Sequence, residues 1–213
     1  MMKKNKTKDP VNQTLISLEN EIGLEKIGLM HSAVWHDDPR RLVFTLSRYK
    51  FVSKMLSGKN SVAEIGCGDG FGARIVKQEV DRLTITDYDP YFIRKFKDIA
   101  SEEWPISAVE HDILEGPLDQ KFDAIYSLDV MEHISSKNEH LFIKNITDSV
   151  TSSGVVIIGM PSLESQMYAS PESKEGHVNC KSGKELKSVM EVFFHNVFLF
   201  SMNDEVVHTG FEK

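Results

Sequence analysis

From residue 61 onward the chain alternates short β-rich apolar runs with segments whose apolar residues return every three or four positions. This pattern predicts strand 61–66, helix 71–79, strand 83–87, helix 90–100, strand 106–110, strand 122–127, helix 138–150 and strand 154–159. The runs AIYSL and GVVIIG are apolar throughout rather than alternating, as expected of parallel strands covered on both faces. The predicted class is α/β, a doubly wound and mostly parallel sheet. Ser182 with Glu185 has the spacing of a capping box, so a helix to about residue 192 follows, then a strand over 196–201.

Before residue 61 the pattern is helical. Leu15, Ile16, Leu18 and Ile22 suggest a short helix. Asp38 before Pro39 pairs an N-cap with proline at the first helical position, and Leu42, Val43, Leu46, Tyr49 and Leu56 repeat on one face, so 39–57 reads as a helix that Gly58 stops. Asp89 before Pro90 repeats that start signal. Residues 1–57 are therefore expected to be a helical cap segment, with 1–10 disordered, and 58–213 the core. The polar stretch 161–181 is long enough to be a lid.

At 213 residues a single domain is expected, and 40% hydrophobic with 27% charged residues is the composition of a globular protein. The net charge of −7 and the lack of a basic tract beyond the first residues disfavour nucleic acid and anionic membrane as partners, which favours a small polar molecule. The longest apolar run, 154–160, is far too short to span a bilayer, and a cytoplasmic protein, monomer or homodimer, is expected. Cys67 and Cys180 read as free thiols.

The candidate chemistry starts at VAEIGCGDG, residues 62–70, where a β-branched strand runs into glycines at 66, 68, 70 and 72. Such glycines let backbone approach a ligand without Cβ obstruction. Asp87 ends the second strand, where a carboxylate can accept from ribose hydroxyls. A dinucleotide fingerprint can be fitted as Gly68, Gly70 and Ala73, which keeps an NAD-dependent oxidoreductase as an alternative.

Glu64 and the spacing of Gly66, Gly68 and Gly70 resemble motif I of the class I S-adenosylmethionine-dependent methyltransferases, and LTITDYDP, EHDILEGPL and FDAIYSLDVMEHI follow in that family's order. The resemblance implies S-adenosylmethionine as cofactor. It places Gly66, Cys67, Gly68 and Gly70 beneath the methionine part, Glu64 at its amino group and Asp87 at the ribose. It further implies Tyr88 over the adenine, Asp112 at the adenine amino group with Ile113 beside the ring, and Ser127 and Leu128 bordering the sulfonium. The family's sheet closes with an antiparallel strand, so 205–211 is either that strand or the chain is truncated before it.

Methyl transfer asks the protein to align a nucleophile and, for a hydroxyl, to remove its proton. Asp129, Glu132 and His133 share one face if a helical turn begins there, and His177 is a fourth candidate catalytic group. Similar segments in ubiquinone-biosynthesis O-methyltransferases and small-RNA 3′-end methyltransferases resemble or form a divalent-metal site. Here Asp129 replaces the more usual glutamate, so a metal held by Asp129, Glu132, His133 and His177 is the less favoured reading beside a metal-free histidine base or a structural role. Trp35, His36, Arg40, Arg48 and Tyr49 are candidate substrate-binding residues, suited to a hydroxylated or phosphorylated ligand; the competing reading is a helix start followed by a solvated arginine face. His31, His111, His140, His195 and His208 have no partner in the sequence pattern. The expected reaction is O-methylation of a sugar or nucleotide-sugar precursor, with N-methylation of a small amine as the alternative.

Overall fold

A computed structural model describes residues 6–202. Five parallel strands, β1 (Ser61–Ile65), β2 (Arg82–Asp87), β3 (Ser107–Glu110), β4 (Phe122–Leu128) and β5 (Val150–Gly159), lie in the order β3-β2-β1-β4-β5. The doubly wound parallel sheet predicted from the sequence is what forms. Val62 stands opposite Leu83 on one side and Ala124 on the other, so β1 is central and the chain reverses its direction of winding between β1 and β4. Ligands of such sheets sit outside the carboxyl ends of the strands at that point.

Strand residues alternate between two cores. On one face Val62, Leu83, Ile85 and Tyr126 pack with Tyr49 and Val52 of α3 (Pro39–Met55), Val76 of α4 (Ala73–Lys77) and Ile93 and Phe96 of α5 (Pro90–Lys97). On the other, Ala63, Ile65 and Ile125 meet Phe142, Ile143 and Ile146 of α6 (Glu139–Ser149) and Met190 of α8 (Gly183–Met190). The start signals hold: Asp38 and Asp89 accept from the backbone at the starts of α3 and α5, each with proline at the first turn, and Ser182 with Glu185 forms a complete capping box on α8.

The remaining helices are α1 (Gln13–Ile22), α2 (Leu29–Asp37) and α7 (Pro171–Gly176), the last lying with a 3₁₀ turn in the stretch read as a lid. Residues 10–12 form another 3₁₀ turn, next to a segment expected to be disordered; residues 1–5 lie outside the described part.

Besides α7, which forms within the stretch read as a polar loop, three elements differ from expectation. Helix α2 was not foreseen, because it buries only His31 and has no apolar stripe for a periodicity to reveal. β5 begins at Val150 rather than 154, with a register irregularity opposite Phe122 and Ala124. The strand expected over 196–201 does not form: those residues are irregular, with Phe200 stacked on Phe51 of α3 at 5.1 Å and Leu199 over Gly183. Phe198, Leu199 and Phe200 stay largely exposed rather than joining the sheet. The strand considered over 205–211 lies outside the described residues.

Candidate active site

The glycine loop follows β1 directly. Gly66 has φ +75°, and a Cβ there would stand 2.4 Å from a Val130 methyl, so both conformation and space require glycine. The N–H groups of Gly66 and Cys67 both donate to the Thr86 carbonyl at the end of β2. Gly68 N–H donates to Asp87 Oδ2 at 2.8 Å, while Oδ1 accepts from Asp89 N–H at 2.9 Å. Asp87 is thereby fixed against the loop, and burial raises its pKa above the ordinary carboxylate value.

Around the same rim, Asp112 accepts from Leu114 N–H at 2.8 Å, Ile113 is buried, and Ser127 donates to the Ile65 carbonyl at 2.9 Å. Tyr88 is exposed and Leu128 half-buried. These residues all lie at or just beyond the carboxyl ends of β1 to β4. Cys67 is buried in the core, which pushes its thiol far above the usual range and leaves it no thiolate character.

Glu64 points away from that rim. It is fully buried, and its two carboxylate oxygens accept from Tyr49 at 2.8 Å and Tyr126 at 2.9 Å. Burial outweighs those two hydrogen bonds and pushes its pKa up to about 8. Tyr49, expected at the substrate, is by this contact a core residue, its ring packed against Gly72. That corrects the reading of Tyr49: its place on α3 is on the buried stripe, and Glu64 satisfies its hydroxyl.

Beyond β4 the chain turns at Asp129, a non-glycine residue at φ +55° whose N–H donates to the Gly159 carbonyl. Arg48 of α3 grips its carboxylate at 2.8 Å and 2.6 Å. A 3₁₀ turn over 131–133 then presents Glu132 and His133. Glu132 is wholly enclosed, and neither carboxylate oxygen has a hydrogen-bond partner in the structure. Burial, then the neighbouring Asp129 charge, pushes its pKa up to about 8.

The segment 161–181 completes the cluster. His133 Nδ1 lies 2.9 Å from the Gly176 carbonyl, and His177 Nδ1 lies 2.8 Å from Gln166 Oε1. Both partners are acceptors, so each Nδ1 donates, and in the neutral imidazole each Nε2 carries the lone pair. The two rings are 5.1 Å apart, and burial together with the His133 charge lowers the His177 pKa. Glu132, His133 and His177 each bring a ligand atom within 4.8 Å of the others. Asp129 is not in that group, because Arg48 occupies its carboxylate; this corrects the four-residue set to three.

The other candidates for the substrate lie elsewhere. Trp35 and His36 are exposed on α2, and Arg40 is held by its own helix cap, Asp38, at 3.0 Å. For Arg40 the solvated-face reading is the one the geometry matches, whereas Arg48 reaches the site. Sequence reasoning missed Asp69, wholly buried within the glycine loop, and its partner His31, 2.6 Å away. The only signal for Asp69 was an acidic residue between two loop glycines.

Residues 62–154 match the family model described as a methyltransferase domain. Over this stretch the chain resembles the class I S-adenosylmethionine-dependent methyltransferases. A tRNA U34 carboxymethyltransferase of Shewanella denitrificans is 27% identical over 104 residues, covering 47% of this chain and 31% of the relative, so the chain spans less than a third of that protein's length. Among solved structures, the N-methyltransferase NodS from Bradyrhizobium japonicum WM9 superposes with a TM-score of 0.58 at 20% identity, covering 73% of this chain and 83% of that one. A complex of DhpI with S-adenosylhomocysteine superposes at 0.57 and 16% identity, covering 77% and 83%. These structural likenesses show the fold alone. No helix among the described residues is long and apolar enough to cross a membrane.

Proposed function

We propose that this methyltransferase transfers the methyl group of S-adenosylmethionine to a hydroxyl of a small polar acceptor, and that Glu132, His133 and His177 hold a divalent cation beside that hydroxyl. One observation carries the reading: a fully buried carboxylate with both oxygens unpaired faces two imidazoles whose Nδ1 protons are already committed, leaving both Nε2 lone pairs free. An unpaired buried carboxylate is costly, and its retention next to two free imidazole donors fits a two-histidine, one-carboxylate cation site. Gly176 and Gln166 supply the outer hydrogen bonds that orient metal-binding histidines.

In this reading the loop backbone at Gly66, Gly68 and Gly70 accommodates the methionine end of the cofactor, Asp87 binds the ribose hydroxyls, and Asp112 with Ile113 borders the adenine. Glu64 acts one layer behind, holding α3 against β1 and β4 through the two tyrosines. When bound, the cation lowers the pKa of an acceptor hydroxyl and orients it for in-line displacement. Arg48 pairs with Asp129, so that carboxylate does not repel a polar acceptor. The net charge of −7 supports an acceptor that is not a nucleic acid, and a cluster of imidazoles, carboxylates and an arginine suits the hydroxyls of a sugar or nucleotide sugar.

The same geometry supports a second reading, in which His133 Nε2 takes the acceptor proton without a metal, since Nδ1 is already committed to the Gly176 carbonyl. Chelation separates the two. Loss of turnover in chelator, restored by a divalent cation, supports the cation site; full activity in chelator leaves the histidine base. A panel of sugar hydroxyls and small amines identifies the accepting atom. S-adenosylhomocysteine at a hundredfold excess over its Kd should stabilise the fold by about 2.7 kcal/mol, whereas NADH should not.

A further inference from the structure

The glycine loop and the N-terminal cap are joined by one buried carboxylate. Asp69 stands between Gly68 and Gly70 and is wholly enclosed. Its Oδ2 accepts from the backbone N–H of His31 at 2.9 Å, and its Oδ1 meets His31 Nδ1 at 2.6 Å and Phe71 N–H at 3.2 Å. His31 is the third residue of α2, whose own N-cap, Gly28, has no side chain to offer. Asp69 therefore performs in trans what an N-cap side chain performs locally: it satisfies a free N–H of the first turn and sets negative charge at the positive end of the helix.

The surrounding contacts fit that arrangement. Gly28 has φ +80°, and a Cβ there would stand 2.5 Å from Asp69 Oδ2, so no other residue lets the carboxylate reach the helix end. Met30 sulfur lies over Gly68, the His31 ring packs on Phe71 at 5.2 Å, and Arg74 pairs with Glu25 at 3.2 Å. Outside these contacts α2 buries no side chain, so the latch is its main tie to the core near the loop.

We propose that His31 and Asp69 are positioning residues that latch α2 over the cofactor loop, so that order in α2 and retention of the cofactor are thermodynamically linked. The backbone of Gly68, which is bonded to Asp87 at the ribose position, and the carboxylate that caps α2 belong to consecutive residues. A rearrangement that frees one frees the other, and by reciprocity whatever stabilises the loop stabilises the helix. The proposal rests on the S-adenosylmethionine reading of the loop.

Amide exchange over 29–37 and the dissociation rate of S-adenosylhomocysteine test it, in the wild-type chain and in His31→Ala and Gly28→Ala. Both changes lie on the cap and leave the loop's own sequence intact, and circular dichroism confirms that each variant folds. In the wild type, S-adenosylhomocysteine should slow exchange over 29–37 about tenfold. In either variant that protection should be lost and dissociation should be about tenfold faster. Dissociation and exchange unchanged in folded variants overturn the latch alone. A wild-type chain that does not bind S-adenosylhomocysteine overturns the cofactor reading beneath it.

Discussion

Arg48 and Asp129, 81 residues apart in sequence, meet through two contacts of 2.8 and 2.6 Å where α3 crosses the end of β4. Asp129 holds a left-handed backbone, φ +55°, that L residues adopt only at a cost. The next residue on α3, Tyr49, donates to Glu64, so two consecutive side chains bind one helix to both strands flanking the cofactor site. Arg48→Met should destabilise the fold by about 1 kcal/mol, because it leaves a half-buried carboxylate unpaired. Arg48→Met with Asp129→Asn should recover part of that loss, read as non-additivity in a denaturant double-mutant cycle.

In the proposed cation site, the role of Glu132 sets function against stability. Both carboxylate oxygens are enclosed and unpaired. Glu132→Leu should therefore stabilise the metal-free protein by about 1–3 kcal/mol while abolishing turnover. Thermal unfolding in chelator and a methylation assay measure the two effects; a destabilised variant would mean that the carboxylate has an unseen partner in the fold.

The buried Glu64 makes stability depend on pH. Its pKa rises from 4.5 to about 8 on folding, so the folded state binds that proton more tightly. The stability it contributes is fully present below the unfolded value of 4.5 and is lost as pH rises through about 8. Wild type should thus lose stability relative to Glu64→Gln between those limits, by on the order of a few kcal/mol. Urea titrations at a series of pH values, without cofactor, give the difference curve.

Asp87 is held by two backbone N–H groups at the loop's edge, with its remaining acceptor capacity facing the rim. Asp87→Ala should weaken S-adenosylhomocysteine at least tenfold in calorimetry, through lost ribose hydrogen bonds and a loosened Gly68. Affinity equal to that of wild type would remove Asp87 from the ribose site.

Much of the scaffold was legible because its signals are local. The capping pairs Asp38 with Pro39 and Ser182 with Glu185, and the apolar strand runs, depend on neighbours a few residues away. Helix α2 was not, because its stabilising cap comes from Asp69, 38 residues downstream. The irregular 196–201 segment misled for the opposite reason: its composition suits a strand, but it does not join the five-stranded sheet, and Phe198, Leu199 and Phe200 stay largely exposed.

The candidate site divides in the same way. The sequence by itself determined the parallel α/β class, the glycine loop, and the acidic residues that end its strands, since each is written in residue type and spacing along one stretch of chain. The tertiary structure decided which side chains share a space. It turned Tyr49 and Glu64 inward, gave Asp129 to Arg48, brought His177 to Glu132 and His133, and set Asp69 at the end of α2. These pairings depend on which buried groups satisfy one another's hydrogen bonds and charges once water is excluded, and no local pattern encodes that choice.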